Sequence, residues 1–199
     1  AREAELEALK AQINPHFLFN SLNTIASLIH THPDQAEATV ERLAELFRYL
    51  LNSSERRLVP LETELAFVDG YLEIERARLG ERLRIDRQIV PEALDVPVPS
   101  LILQPLVENA VRHGRSPDGS IDLGIRVTVR GDEARIAISD QGPGMPAGYR
   151  FGSGQGVGLR NVDERLRKTY GPARGLAIRA NEPQGTIVTL TIPAGNLDL

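Results

Sequence analysis

Near residue 83 the spacing of apolar side chains changes from three and four residues to two, and this change constrains the fold more than any other feature of the chain. Before it, from about residue 2 to 80, glycines are few and apolar positions recur at helical steps. Leu18, Leu22, Ile25 and Ile29 share one predicted helical face, and Ala36, Val40, Leu43, Phe47 and Leu50 share the next. Thr31-His32-Pro33-Asp34 reads as the turn between them, with Asp34 a candidate N-cap. A third helix is expected from Leu61 through Leu65, Val68, Leu72 and Leu79, after the break at Pro60. Beyond residue 83 the period-two runs predict half-buried strands: Leu83, Ile85 and Ile89; Ile121 to Val129; Ala134, Ile136 and Ile138; Leu176 to Asn181; and Thr186 to Ile192. Helices are expected from Leu101 to His113 and from Val157 to Tyr170, while Pro91, Pro97 and Pro99 suggest a loop.

The predicted class is therefore α+β: an antiparallel helical hairpin over residues 1–80, followed over residues 81–199 by helices on one face of a mixed sheet. Two helices joined by a short turn cannot bury both apolar faces alone, so a homodimer completing a four-helix bundle is expected. A hydrophobic fraction of 41% over 199 residues supports a real core. The formal charge of -4, with no basic block, excludes an extended phosphate-backbone surface, and no nucleic-acid partner is expected. Arginine outnumbers lysine 21 to 2, a bias that suggests genomic or thermal adaptation rather than a binding patch. The absence of cysteine removes disulfides, thiolate zinc sites and cysteine nucleophiles. No run reaches the length of a membrane span. Because the chain starts at Ala1 within a helical pattern from Glu3 to Lys10, it reads as part of a longer protein.

Four segments of the second half carry candidate chemistry. In Leu103-Gln104-Pro105-Leu106-Val107-Glu108-Asn109-Ala110-Val111-Arg112-His113-Gly114 an amide interrupts an apolar helix, and it needs a partner in protein, water or a metal ion. Bonding to nearby backbone would satisfy it equally well. Asp140-Gln141-Gly142-Pro143-Gly144 puts a carboxylate at the end of a strand, beside glycines that let a flat ring approach the backbone. Gly152-Ser153-Gly154-Gln155-Gly156-Val157-Gly158-Leu159-Arg160-Asn161 opens a helix, where converging N–H groups favour phosphate. No Lys-Ser/Thr pair follows, which disfavours a P-loop, and no parallel βαβ pattern surrounds it, which disfavours a dinucleotide fold. Gly185-Thr186 begins the last strand.

Taken in order, these segments resemble the Bergerat ATP-binding fold of histidine kinases, type II topoisomerases, Hsp90 and MutL. The resemblance covers about residues 83 to 193. It implies that Asp140 accepts the adenine amino group, that Asn109 holds Mg²⁺ on the phosphates of ATP, and that Gly142, Gly144 and Thr186 shape the adenine pocket. It makes Gly154, Gly156 and Gly158, with Leu159 closing the motif, a phosphate-facing lid. Arg112 falls where many histidine kinases face phosphate with a basic residue, and His113 at an often aromatic position suited to packing.

In the first half, Gln12-Ile13-Asn14-Pro15-His16-Phe17-Leu18-Phe19-Asn20 sets a proline inside a helical pattern, where a kink is expected. His16, Asn20, Asn23 and Ser27 form a polar stripe, so His16 should face solvent, where a neutral imidazole is a competent nucleophile. This segment, Tyr71-Leu72-Glu73-Ile74-Glu75 and the Asn109 helix resemble the LytS/YehU-type sensor histidine kinases over nearly the whole chain. That resemblance implies autophosphorylation of His16, a response-regulator receiver aspartate as the eventual acceptor, and a cytoplasmic core anchored to the inner membrane by segments outside this chain. Phe17 stands where other kinases carry an acid, which leaves the general base unassigned; Glu108 is a candidate base or a solvated side chain. Asn20 occupies the place of a residue that assists phosphatase activity in other kinases. His30 and His32, without nearby cysteine or a carboxylate set, read as a solvated turn. The competing reading is a nucleotide-gated, non-catalytic dimeric module. A gyrase- or Hsp90-like ATPase and an anti-sigma-type serine kinase leave residues 12–20 without a role.

Overall fold

The computed structural model describes residues 15–53, 58–145 and 157–195. The expected helix from Glu3 to Lys10, the kink before Pro15, and Gly154 and Gly156 lie outside them. Contacts divide the chain into two units, one of residues 1–57 and 66–81, the other of residues 58–65 and 82–199.

The first unit is helical. Helix α1 (Pro15–Leu28) buries Ser21, Thr24 and Ile25. Its two buried hydroxyls donate to carbonyls one turn back, Ser21 Oγ to Phe17 O at 2.8 Å and Thr24 Oγ1 to Asn20 O at 2.9 Å, so neither is left unsatisfied. The expected apolar stripe is thus split: Ile25 is buried, whereas Leu22 and Ile29 are 49% and 51% exposed. The reason is that small hydroxyl residues, rather than leucines, face the neighbouring helix within the chain.

Helix α2 (Pro33–Ser53) begins two residues earlier than the capping pattern suggests. His32 O accepts Ala36 N–H at 3.0 Å, so His32 is the N-cap residue, Pro33 takes the first helical position, and Asp34 lies within the first turn. The N-cap expected at Asp34 is corrected accordingly; its carboxylate instead complements the positive end of the helix. Helix α3 (Leu61–Leu79) carries all five expected apolar positions as buried residues. Within this unit its later turns cover part of α1 and α2: the rings of Phe17 and Tyr71 lie 4.9 Å apart, as do those of Tyr49 and Phe67. Gly70 permits close approach, since a Cβ there would sit 3.2 Å from Leu46 Cδ2.

The second unit is built on a five-stranded sheet in the order β2-β4-β5-β7-β6. Its strands are β2 (Leu83–Ile89), β4 (Ile121–Arg130), β5 (Glu133–Ser139), β6 (Leu176–Ala180) and β7 (Thr186–Pro193). β2 pairs parallel with β4 and the remaining pairs are antiparallel, so the sheet is mixed, as the sequence predicts. Alternate residues, including Leu123, Ile125, Val127, Ile136, Ile138, Val188 and Leu190, are buried beneath α4 (Gln104–His113) and α5 (Val157–Tyr170). On the other face Arg126, Arg135 and Arg179 are exposed. A small second sheet pairs β1 (Leu58–Pro60) antiparallel with β3 (Pro97–Pro99). Its proline content hides it from strand patterning, which suggests a loop there instead.

Helix α4 starts at Gln104 rather than at Leu101. Leu101 has φ +57°, and the amides of Leu101, Ile102 and Leu103 point to the carboxylate of Glu64 at 2.6, 2.8 and 3.1 Å. A side chain from another helix therefore holds these residues outside the helical ladder.

Candidate functional site

The C-terminal end of β5 delivers Asp140, which is 5% exposed. Its backbone extends the pairing with β7 by one bond, Asp140 N–H to Thr186 O at 2.9 Å. Its Oδ1 accepts the amides of Gly142 at 3.0 Å and Thr186 at 3.2 Å, while Oδ2 takes no hydrogen bond from the described residues. One oxygen thus fixes the carboxylate and the other keeps its accepting capacity. Burial raises the Asp140 pKa above the usual aspartate value, opposed by the two amides and by His113.

Three glycines bring separate strands and loops together around this carboxylate. A Cβ on Gly114 would lie 2.5 Å from Asp140 Cβ, and one on Gly142 would lie 2.6 Å from Gly114 Cα. Gly185, at φ +102°, leaves a Cβ position 2.0 Å from Asp140 O. Asn181 Nδ2 donates to that same carbonyl at 2.8 Å, and Ser116 Oγ and Gln184 Nε2 donate to Gln141 O at 3.0 and 2.9 Å. Gly144, φ +76°, has its Cβ position 3.3 Å from Gly185 O. The sequence marks Asp140, Gly142, Gly144 and Thr186, and the structure brings all four together. It adds Gly114, Ser116, Asn181 and Gln184, which single-residue patterns leave unmarked; a strand ending in Asn181 beside the Gly185 turn is the one legible hint.

On α4, Leu106, Val107, Ala110 and Val111 are buried, whereas Pro105, Glu108 and Asn109 are half-buried and Arg112 is exposed, at spacings that share one helical face. Asn109 makes no side-chain hydrogen bond with the described residues, so the alternative in which its amide is consumed by nearby backbone does not hold. Glu108 Oε1 accepts Gln104 Nε2 at 2.7 Å. His113 is exposed, contrary to the packing role expected of it; partial desolvation and then Arg112 lower its pKa, and Asp140 opposes them. Gly158, exposed in the first turn of α5, has a Cβ position 3.6 Å from Pro105 Cβ, so the start of α5 lies against the face of α4 that carries Asn109. Leu159 is 4% exposed and serves the core rather than lining open space.

The donor set fits a nucleotide with a bound divalent cation. Gly114, Gly142 and Gly185 let the backbone segments around Asp140 close up, Asp140 Oδ2 can accept an amino group, and the Asn109 amide oxygen takes no hydrogen bond from the described residues. Among the described residues no group of three or more His, Asp or Glu side chains could hold a metal. A Mg²⁺ ion would therefore rest on Asn109 and on oxygens of the phosphates and water, as this ion usually does. A cavity of about 420 Å³ between Arg126, Arg130, Arg135 and Arg179 lies on the opposite face of the sheet, and none of the Asp140 or Asn109 groups lines it.

In the first unit His16 is exposed, and Asn20 Nδ2 lies 3.2 Å from its Nδ1 and 3.4 Å from its Nε2. Asn23 and Ser27 are exposed with it, as the polar stripe predicts.

Two family models match the chain: "Histidine kinase" over residues 4–83 and "Histidine kinase-, DNA gyrase B-, and HSP90-like ATPase" over residues 95–196. The chain belongs to the histidine kinase family. The sensor histidine kinase YpdA of Escherichia coli K12 is 38% identical to it over 200 residues, which cover 97% of this chain and 35% of the relative. The sensor protein LytS of Bacillus subtilis 168 is 32% identical over 203 residues, covering 96% and 34%. This histidine kinase chain thus spans about a third of the length of the curated relatives it matches. Among solved structures, the histidine kinase domain of the Erythrobacter litoralis EL346 blue-light activated kinase shares its fold, with a TM-score of 0.55 at 19% identity, covering 96% of this chain and 92% of that one. The Acinetobacter baumannii histidine kinase AdeS does likewise, with a TM-score of 0.55 at 17% identity over 90% and 96%. In the described part of the histidine kinase chain no helix is long and apolar enough to cross a membrane.

Proposed function

We propose that this chain is the cytoplasmic core of a two-component sensor kinase, which transfers the γ-phosphoryl group of Mg²⁺-ATP to His16 and from there to a receiver-domain aspartate of a response regulator. The observation that carries the reading is the divided carboxylate of Asp140, with Oδ1 held by two backbone amides and Oδ2 left to read an amino group. In this reading Asp140 binds adenine, Gly142, Gly144 and Thr186 form the walls, and Arg112 faces phosphate. Gly154, Gly156 and Gly158 close over the phosphates. Asn109 holds Mg²⁺, which when bound neutralises charge on the phosphates.

A ring nitrogen of His16 forms the N–P bond as the bond from the γ-phosphorus to the bridging oxygen breaks, and ADP leaves. The imidazole proton passes to Glu108 or to water, and the Asn20 amide orients the ring. Catalysis is then mainly positioning and charge neutralisation. The helical unit serves dimerisation and phosphotransfer, and the sheet-bearing unit binds ATP. Incubation with γ-³²P-ATP and Mg²⁺ should give an acid-labile, alkali-stable label on the protein that His16→Gln abolishes. Steady phosphate release without label would favour a plain ATPase, and bound nucleotide with neither label nor turnover a non-catalytic module. Glu108→Gln should slow labelling severely if Glu108 is the base; near-normal labelling removes it from the mechanism.

A further inference from the structure

Glu64 is a fully buried carboxylate, 0% exposed, with no part in the reaction just described. It lies in the first turn of α3, and both of its oxygens are committed: Oε1 accepts the Leu101 amide at 2.6 Å, and Oε2 accepts those of Ile102 and Leu103 at 2.8 and 3.1 Å. Burying a carboxylate is costly unless charge-assisted hydrogen bonds compensate, and three converging amides do so. The three amides belong to the segment that launches α4. Leu103, at the N-cap position, offers no side-chain cap, but its carbonyl accepts the amides of Leu106 and Val107, both at 3.1 Å. The Glu64 carboxylate supplies from outside the negative charge that a helix N-terminus favours.

The same segment is held at its carbonyls by α5. Arg165 donates to Ser100 O and, at 3.2 Å, to Ser100 Oγ, and Tyr170 donates to Pro97 O at 2.8 Å. Residues 97–103 therefore form a strap whose last three amides are fixed by α3 and whose Pro97 and Ser100 carbonyls are fixed by α5. Leu101 sits in the left-handed region at φ +57°, a conformation that a leucine keeps only where its surroundings enforce it. Ile102 and Leu103 are 0% exposed, so without Glu64 their amides would have no water to turn to.

We propose that Glu64 is a positioning residue for the nucleotide site: by fixing the backbone of Leu101 to Leu103 it sets the placement of α4 and hence of the Asn109 amide that holds the cation. This inference rests on the ATP-binding reading above. Partners behind a metal ligand commonly matter to metal affinity by a factor of 10 to 100, and a carboxylate that places the whole ligand-bearing helix belongs with them. The Asp140 carboxylate is held by the amides of Gly142 and Thr186, and α4 reaches it only at its far end through Gly114, so adenine recognition depends on Glu64 less than cation binding does.

The test is calorimetric titration of the 199-residue chain and its variants with ATP, once in Mg²⁺ and once in EDTA. The Glu64→Gln amide would set an N–H₂ group against at least one backbone donor. Glu64→Gln is expected to weaken Mg²⁺-ATP binding by roughly tenfold or more while leaving binding in EDTA within about twofold. In an Asn109→Ala background the same change should add little, because the two residues act in series. Equal loss in Mg²⁺ and EDTA, or an undiminished effect in the Asn109→Ala background, would mean a general structural role and overturns the proposal. A wild-type chain that does not bind ATP in either buffer overturns the functional reading first, and the two failures are thereby separable. Should Glu64→Gln not fold, amide hydrogen exchange of the unaltered chain decides: Mg²⁺-ATP should slow exchange at Leu101 to Leu103 more than ATP in EDTA does, and identical exchange refutes the link.

Discussion

Asp140 was legible because its Asp-x-Gly-x-Gly stands in order with the Asn109 helix, the glycine-rich run and Gly185-Thr186; alone it would read as a turn. The sequence could not show that its oxygens have separate tasks, since that depends on Gly142 and Thr186 arriving from different segments. Two predictions belong to this residue. With its pKa raised by burial, Asp140 takes up a proton at a higher pH than an ordinary aspartate, so ATP affinity should begin to fall on acidification above the usual carboxylate range. ATP titrations across pH check this; affinity constant down through that range would contradict it. A raised pKa also means that folding favours the protonated form, so the associated stability is present at low pH and lost as pH rises through the folded pKa. Asp140→Asn removes that burdened charge and keeps an oxygen for the two amides. It should abolish ATP binding while leaving the melting temperature of the ligand-free chain unchanged or higher, as functional-site residues often do. Gly185→Ala should behave oppositely, because its Cβ would meet Asp140 O at 2.0 Å in a left-handed backbone. A loss of about 2 kcal/mol or more of stability is expected in urea unfolding.

At the scale of elements, period and polarity gave the helices and the main sheet, and failed where a tertiary partner replaced a local signal. Glu64 replaced a helical turn at Leu101, and paired prolines built β1 and β3 without strand composition. In α1 the buried face uses Ser21 and Thr24, which hydropathy scores as surface. The apolar residues left over are instructive. Phe19 and Leu22, 66% and 49% exposed, share one face of α1, Ile29 follows its last turn at 51% exposed, and Val40 and Leu51, 49% and 52% exposed, share one face of α2. A second copy is the partner proposed for these stripes. Leu22→Lys combined with Ile29→Lys should shift the chain toward monomer in sedimentation at micromolar concentration without loss of helix content by circular dichroism. An unchanged sedimentation coefficient would place the dimer contact elsewhere.

For the whole molecule, the period change near residue 83 suggests a cut there, but contacts assign residues 58–65 to the second unit and return residues 66–81 to the first. Local patterns cannot reveal this, because the deciding interactions join residues about forty positions apart, Leu58 to Pro99 and Glu64 to Ile102. A fragment starting at residue 82 lacks β1 and Glu64. It should melt at a lower temperature and bind Mg²⁺-ATP more weakly than one starting at residue 58; equal behaviour of the two fragments would show that the early strand and turn are dispensable. The interleaving also orders the events of synthesis. As the chain leaves the ribosome, the helical unit has all its segments once residue 81 has emerged, yet β1 and Glu64 must wait for residues 97–103 before their hydrogen bonds can form. The first turn of α3 is thus made early and satisfied late, so the nucleotide-binding unit cannot complete its hydrogen bonds until residues 97–103 have emerged.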